Sequence, residues 1–177
     1  MAFTEFDRYR METLAPQGLE ASATPEEQGG DYESGRAVIV DATGRTETWR
    51  VRTAKVTPTK AGAFVAVWRR TAGGGTEPFP SDEVAGANGS ASTGTGAPEH
   101  VAGLLVFVRD ADRRGVFRFT SEHLRGLGVT SSPQRPGKRG FRVYPSWCTD
   151  LNRQAQRTQA AQARAFTVLE PSVATDF

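Results

Sequence analysis

The stretch from Ser34 to Arg70 constrains the fold more than any other part of the chain. AVIVD at 37–41 is apolar and β-branched, ATGR at 42–45 is turn chemistry, and TETWRVRTAKV at 46–56 alternates, which together predict a β-hairpin. After the Thr57-Pro58-Thr59-Lys60 connection, AFVAVWRR at 63–70 reads as a third strand, and the simplest arrangement is an antiparallel meander of three strands. A continuous apolar run, VAGLLVFV at 101–108, then the turn RDADRRG and VFRF at 116–119 extend the sheet, and GFRVYP at 140–145 adds a strand stopped by Pro145.

Helical signals are fewer. Phe3, Phe6, Arg10 and Leu14 recur at helical spacing with Thr4 placed to cap, and Thr120 or Ser121 caps a short helix to about Leu127. Asp150 is the expected N-cap of a helix over 151–166, in which Leu151, Ala155, Thr158 and Gln162 share a face. Two tracts have little to bury: 15–31 reads as a flexible connection, and about 85–98 is a low-complexity insert of Gly, Ala, Ser and Thr. At 177 residues the expected class is α/β (α+β), one domain over 1–177 with a central mixed β-sheet flanked by helices.

Several classes are excluded early. A single cysteine, Cys148, closes no intramolecular disulfide, and two separated histidines, His100 and His123, build no zinc cage. No apolar run approaches the roughly 18 residues of a membrane span, and the charged start at Met1–Arg10 is unlike a signal peptide, so the expectation is a cytoplasmic protein with no membrane partner. No cofactor is called for, and oligomeric state is not legible.

The net charge of +2 conceals a sorted distribution. Residues 35–70 carry +6 and 113–169 carry +9, whereas 1–34, 71–112 and 170–177 carry −6, −5 and −2. Brought together, the two basic blocks would form a positive surface for a polyanion; the plainer reading is two solvated faces. Of the 22 basic residues only Lys55, Lys60 and Lys138 are lysine, and all three lie in the basic blocks. Alternation puts Lys55 on the apolar face with Trp49, Val51 and Thr53, where it lines a cleft or snorkels from a strand end. In PGKRGFRVYPSW at 136–147, a glycine-flanked turn presents Lys138 and Arg139, and Arg142, Tyr144 and Trp147 interleave charge with aromatic rings, as single-stranded nucleic acid requires. The plainer alternative is a hairpin turn and a core strand. Arg153, Arg157 and Arg164 form a stripe on the last helix that would track a phosphate backbone or simply face solvent.

With TAKVTPTKAGAFVAVWRR at 53–70, GVFRF at 115–119, GKRGFRVYPSW at 137–147 and Thr158-Gln159 in this order, the chain resembles the MepB family of bacterial proteins over roughly 32–166, less the insert. The resemblance implies a fold like that of the restriction-endonuclease (PD-(D/E)xK) superfamily, and nucleic-acid binding without the usual catalytic acids. Those nucleases need two carboxylates for Mg²⁺ and a lysine two residues after one of them. Here Thr53 precedes Lys55, Pro58 precedes Lys60 and Pro136 precedes Lys138 at that spacing, so none completes the motif.

The expectation is a non-catalytic protein binding single-stranded DNA or RNA through a cleft of Lys55, Lys60, Arg118, Lys138, Arg139 and Arg142, with Tyr144, Trp147, Arg153 and Arg157 contributing. One alternative is a divergent Mg²⁺-dependent nuclease using Glu33 or Asp41 with Lys55. Another is an interaction module that binds an acidic protein or a small anion.

Overall fold

The apolar run at 101–108 becomes the spine of the fold. In the computed structural model, which describes residues 3–26, 34–82, 84–85 and 99–170, the chain opens with α1 (Thr4–Tyr9), continued by a π-helical turn at Arg10–Leu14. Then come strands β1 (Glu20–Pro25), β2 (Ser34–Val40), β3 (Thr46–Thr53), β4 (Lys55–Thr57) and β5 (Lys60–Ala66). β6 (Trp68–Arg70) pairs with β7 (Thr76–Pro78) as a small ribbon, β8 (Val84–Ala85) is a two-residue strand, and β9 (Glu99–Asp110) and β10 (Arg113–Thr120) form a long hairpin. α2 (Ser121–Gly126), β11 (Gly140–Val143), α3 (Arg153–Gln162) and β12 (Phe166–Leu169) complete the domain.

The central sheet runs β1-β2-β3-β9-β10-β12, with β8 also pairing β9. Its pairs are antiparallel except β3 with β9, which makes the sheet mixed, as expected for an α+β domain. A second sheet, β11-β5-β4, lies over one face of the first. Between them Ala63, Val65, Val67 and Val143 meet Leu104, Val106, Val108, Phe117 and Phe119, with Leu124 of α2 closing one end. On the other face Phe3, Phe6, Tyr9 and Leu14 of the N-terminal helix cover Trp49, Val51, Leu105, Phe107 and Val116. β9 thus buries alternate residues in two cores, which is why its stretch 101–108 is apolar without interruption.

This spine also corrects the expected meander. The β2-β3 hairpin forms with Val40 opposite Thr46, but the free edge of β3 is taken by β9. After Ala54, whose N–H donates to Phe107 O at 2.9 Å, the chain leaves the central sheet, and β5 pairs instead with β4 and β11. A strand with two apolar faces must be covered on both, so β9 takes the interior position and the third strand becomes its cover.

Four smaller expectations also change. The tract 15–31 is not wholly a connection: Ala15–Gln17 is a 3₁₀ turn and Glu20–Pro25 is an edge strand antiparallel to β2. Thr4 makes no cap, because the helix starts at Thr4 itself with Phe3 in the N-cap position. Asn152, not Asp150, caps α3, accepting from Ala155 N–H at 2.9 Å; Asp150 sits at φ 54°, left-handed where an N-cap needs extended backbone. That helix ends at Gln162, and Phe166–Leu169 adds the edge strand β12. Residues 86–98 of the insert and 27–31 of the first tract lie outside the described residues.

Three of the largest fully buried side chains are arginines: Arg50, Arg52 and Arg114. Arg114, on β10, donates through Nε to Glu5 Oε2 at 2.9 Å and through Nη1 to Glu12 Oε2 at 3.1 Å and Glu170 O at 3.0 Å. It therefore ties the N-terminal helix to the sheet, and Glu5 is itself buried. Because Glu12 remains as a partner, Glu5→Gln costs about 2 kcal/mol, the worth of a hydrogen bond to a charged group. For a domain of this size the expected fall in thermal midpoint is about 4–8 °C, measured by calorimetry. An unchanged midpoint would show the clasp to be energetically idle.

Candidate functional site

The site grows from the way α3 is docked. His123 of α2 is buried with Nε2 2.8 Å from Ala161 O, which fixes the far end of α3. The amide of Gln162, also buried, then substitutes for a neighbouring strand: its Nε2 donates to Arg142 O at 2.8 Å and its Oε1 accepts from Tyr144 N–H at 3.0 Å. Gln159 Nε2 donates to Pro145 O at 2.9 Å and Cys148 O at 3.2 Å. The helix is held alongside the edge of β11 by side-chain amides, so the two elements leave an open groove of about 680 Å³ between them.

Lys138, Arg142, Tyr144 and Arg157 line this groove, and among the described residues no Asp or Glu lines it. Lys138 projects from the turn after Gly137, whose φ of 72° brings Lys138 N–H back to Val129 O at 2.8 Å. Arg142 is half-buried and braced: Nη1 donates to Ala61 O and Nη2 to Thr57 Oγ1, both at 2.9 Å. Those two contacts carry it across β5 to the rim of a second hollow of about 330 Å³, which is lined by Lys60, Asp110, Arg113, Trp147 and Cys148 among others. Burial pushes the Cys148 thiol above its ordinary value, so it stays protonated at neutral pH.

The β5-β11 pairing brings the two basic blocks of the sequence into contact. It does not gather every expected residue. Lys55 is exposed on β4, beyond the break at Ala54, and does not share the buried face of Trp49 and Val51. Arg118 lies on the opposite face of the central sheet, its guanidinium 4.6 Å from the centre of the Trp49 ring and Nη2 3.4 Å from Glu47 Oε2. Strand alternation explains this, since Phe117 and Phe119 face the core beneath the second sheet and Arg118 must point the other way. Arg139 turns to the β6-β7 ribbon and donates through Nη2 to Thr76 O at 3.0 Å. Trp147 packs edge-on against Phe166 at 5.4 Å with Arg113 over its ring, so its face is occupied. Arg153 and Arg164 are exposed on α3 and in the turn that follows it, and neither is among the lining residues of the groove.

The acids of the nuclease alternative fare differently. Asp41 Oδ1 accepts from Thr43 N–H at 2.9 Å, Thr43 Oγ1 at 2.6 Å and Arg45 N–H at 3.0 Å, which makes it the organiser of the β2-β3 turn. The length of β3, roughly 23 Å, separates that turn from Lys55. Glu33 lies outside the described residues, among which no three His, Cys, Asp or Glu side chains gather in a metal-binding arrangement. No described helix is long and apolar enough to cross a membrane.

Sequence reasoning misses Arg50 and Arg52. Both are buried over the Phe79 ring, at 4.1 and 5.1 Å from its centre, and both reach the carboxylate of Glu26. It also passes over Phe64, an exposed ring on β5.

Comparison with known proteins agrees with this architecture. A solved structure described as the crystal structure of MepB superposes with a TM-score of 0.68 at 27% sequence identity, covering 97% of this chain and 100% of that one. A search of curated proteins finds no match. The MepB-like family pattern matches residues 26–168, from Glu26 through every element of both sheets except β1 and the last residue of β12, and on that match the chain belongs to the MepB-like family.

Proposed function

We propose that this protein binds nucleic acid, favouring single-stranded DNA or RNA, without cutting it. The groove between β11 and α3 carries the reading: Lys138, Arg142 and Arg157 line it, and among the described residues no carboxylate does. Electropositive walls without a competing acid attract a phosphate chain and release its counterions. Tyr144 lines the same groove, so an unpaired strand can set its phosphates against the cations and a base against the ring. The absence of hydrolysis is supported by Thr53, Pro58 and Pro136 at the positions where an acid would have to precede each lysine. Asp41, spent on its turn, does not replace them.

Nitrocellulose filter binding of a mixed-sequence 20-nucleotide single strand, the matching duplex and the RNA, at 50 and 200 mM salt, tests the reading. Three phosphates neutralised by the groove would give a slope of log K against log salt of about −2, at about 0.7 per contact on a single strand. A flat salt response, or an acidic protein bound in preference to any nucleic acid, would replace this function with an interaction module. Cleavage of plasmid or RNA in Mg²⁺ that is lost in Lys55→Ala would restore the nuclease.

A further inference from the structure

The sequence directs attention to Tyr144 and Trp147 as the rings that would stack on bases, yet the structure places a different ring in the more open position. β4, β5 and β11 present one face to the core and the other outward. On the outward face Phe64 stands at the centre of the sheet, directly opposite Lys55 on β4 and directly opposite Arg142 on β11. Direct cross-strand partners share a face with side chains about 5 Å apart, so the ring has a cation on either side. Phe64 is 39% exposed, whereas its neighbours Ala63 and Val65 are fully buried.

The surface beside the ring is built to let it reach across Gly140. Gly140 has no side chain, and a Cβ there would collide with Phe64 Cζ and come within 2.9 Å of Cε2. On the other side of Arg142, Gly62 makes the same room for Tyr144, where an added Cβ would lie 2.8 Å from Cδ1. The sheet face therefore runs aromatic, cation, aromatic: Phe64 over Gly140, the braced guanidinium of Arg142, and Tyr144 over Gly62. Arg142 uses Nη1 and Nη2 to hold Ala61 O and Thr57 Oγ1, which fixes the plane of its fork and leaves further N–H donors for an anion.

We infer that Phe64 is the base-stacking platform of the interface, taking one unpaired base on its exposed face with Lys55 and Arg142 beside the adjoining phosphates. The inference rests on the nucleic-acid reading and deepens it, because it locates a subsite outside the groove and makes unpaired strands the preferred ligand. In a duplex both faces of each base are already stacked, so a flat platform discriminates against paired strands, whereas the basic groove alone does not.

The test compares wild type, Phe64→Leu and Phe64→Tyr. Leucine keeps an apolar group over Gly140 but removes the ring, and tyrosine keeps the ring. Phe64→Leu should weaken binding of a 20-nucleotide single strand by about five- to a hundredfold, the range for loss of one stacked base, with the salt slope and duplex affinity unchanged. Phe64→Tyr should bind like wild type. As a check that needs no variant, photocrosslinking of the wild-type protein to a bromodeoxyuridine-substituted strand should yield an adduct on the peptide containing Phe64.

If wild type binds the strand, Phe64→Leu binds it equally and the adducts fall only on Tyr144 or Trp147, the platform is elsewhere while the proposed function stands. If Phe64→Leu changes the oligomeric state on gel filtration and leaves affinity alone, the patch is a self-association surface and the inference fails. If wild type binds no strand, both this inference and the function beneath it fail.

Discussion

Replacing Lys138 and Arg157 together by glutamate lowers affinity for a 20-nucleotide single strand by about a hundredfold at 150 mM salt and flattens the salt slope by about 1.4. Both side chains are exposed and line the groove, and neither makes a hydrogen bond or ion pair to another described side chain, so their removal costs the fold little. Each phosphate left without its cation takes about 0.7 from the slope on a single strand, and two carboxylates added to a groove that has none among the described residues add repulsion. Arg118→Ala is the control away from the groove. That residue carries the same charge on the opposite face of the central sheet, over Trp49, and its loss should leave affinity within about twofold. Because the double reversal changes the charge by −4 and Arg118→Ala by −1, a loss from Arg118→Ala of about a quarter of the logarithmic loss from the reversal would mean that binding follows net charge and that the groove has no special part in it. A charge-reversed variant that keeps wild-type affinity while unfolding no more readily would remove the groove from the interface altogether.

The contrast between Lys138 and Arg118 shows what the sequence can and cannot convey. Hairpins are legible because alternation and turn chemistry are local: Asp41 and Gly44 close β2-β3, and Ala111 at φ 55° closes β9-β10. The N-cap at Thr120 is equally local, its hydroxyl accepting from His123 N–H at 3.1 Å. Which strand lies beside β3 is not local, because it depends on the demand of β9 for cover on both faces, and that demand is met by residues far away in sequence. Extending the alternation of β3 through Ala54, where the chain changes sheets, therefore assigns Lys55 to the wrong surface.

Phe64 escapes notice for a related reason. In AFVAVW the two alternating sets are Ala63, Val65, Val67 and Phe64, Ala66, Trp68, and bulk alone would bury the second. The structure buries the first, because the space between the two sheets is already filled by Phe117 and Phe119 and has room only for small and branched side chains. A signal is present in Gly140, a strand residue without a side chain opposite Ala66 and beneath the ring of Phe64. It becomes readable only once register is known. Charge counting fails at Arg50 and Arg52 in the same way, since it treats each arginine as surface although both lie over Phe79.

Those buried arginines lead to the largest stability effect expected. Glu26→Gln should lower the thermal midpoint by about 6–12 °C, corresponding to about 3 kcal/mol for breaking a buried charge cluster. Glu26 Oε1 accepts from Arg36 Nε at 3.0 Å and Arg50 Nη1 at 3.2 Å, and Oε2 accepts from Arg52 Nη2 at 3.1 Å. The side chains of Arg50 and Arg52 are each 2% exposed, so their desolvation has already been incurred and the carboxylate offsets it. A glutamine amide keeps one acceptor and removes the charge. The sign with pH follows from the same contacts. Burial alone would raise the Glu26 carboxyl, but the guanidiniums of Arg52, Arg50 and Arg36 more than reverse this and hold it below its ordinary 4.5. Its contribution is therefore whole above that ordinary value and is lost as pH falls through the lower folded value. Calorimetry from pH 7 to pH 3 should show the gap between wild type and Glu26→Gln narrowing toward the acid end. A gap that stays constant across the range, or a variant that melts within about 1 °C of wild type at pH 7, would mean that the other contacts of these arginines hold them without Glu26.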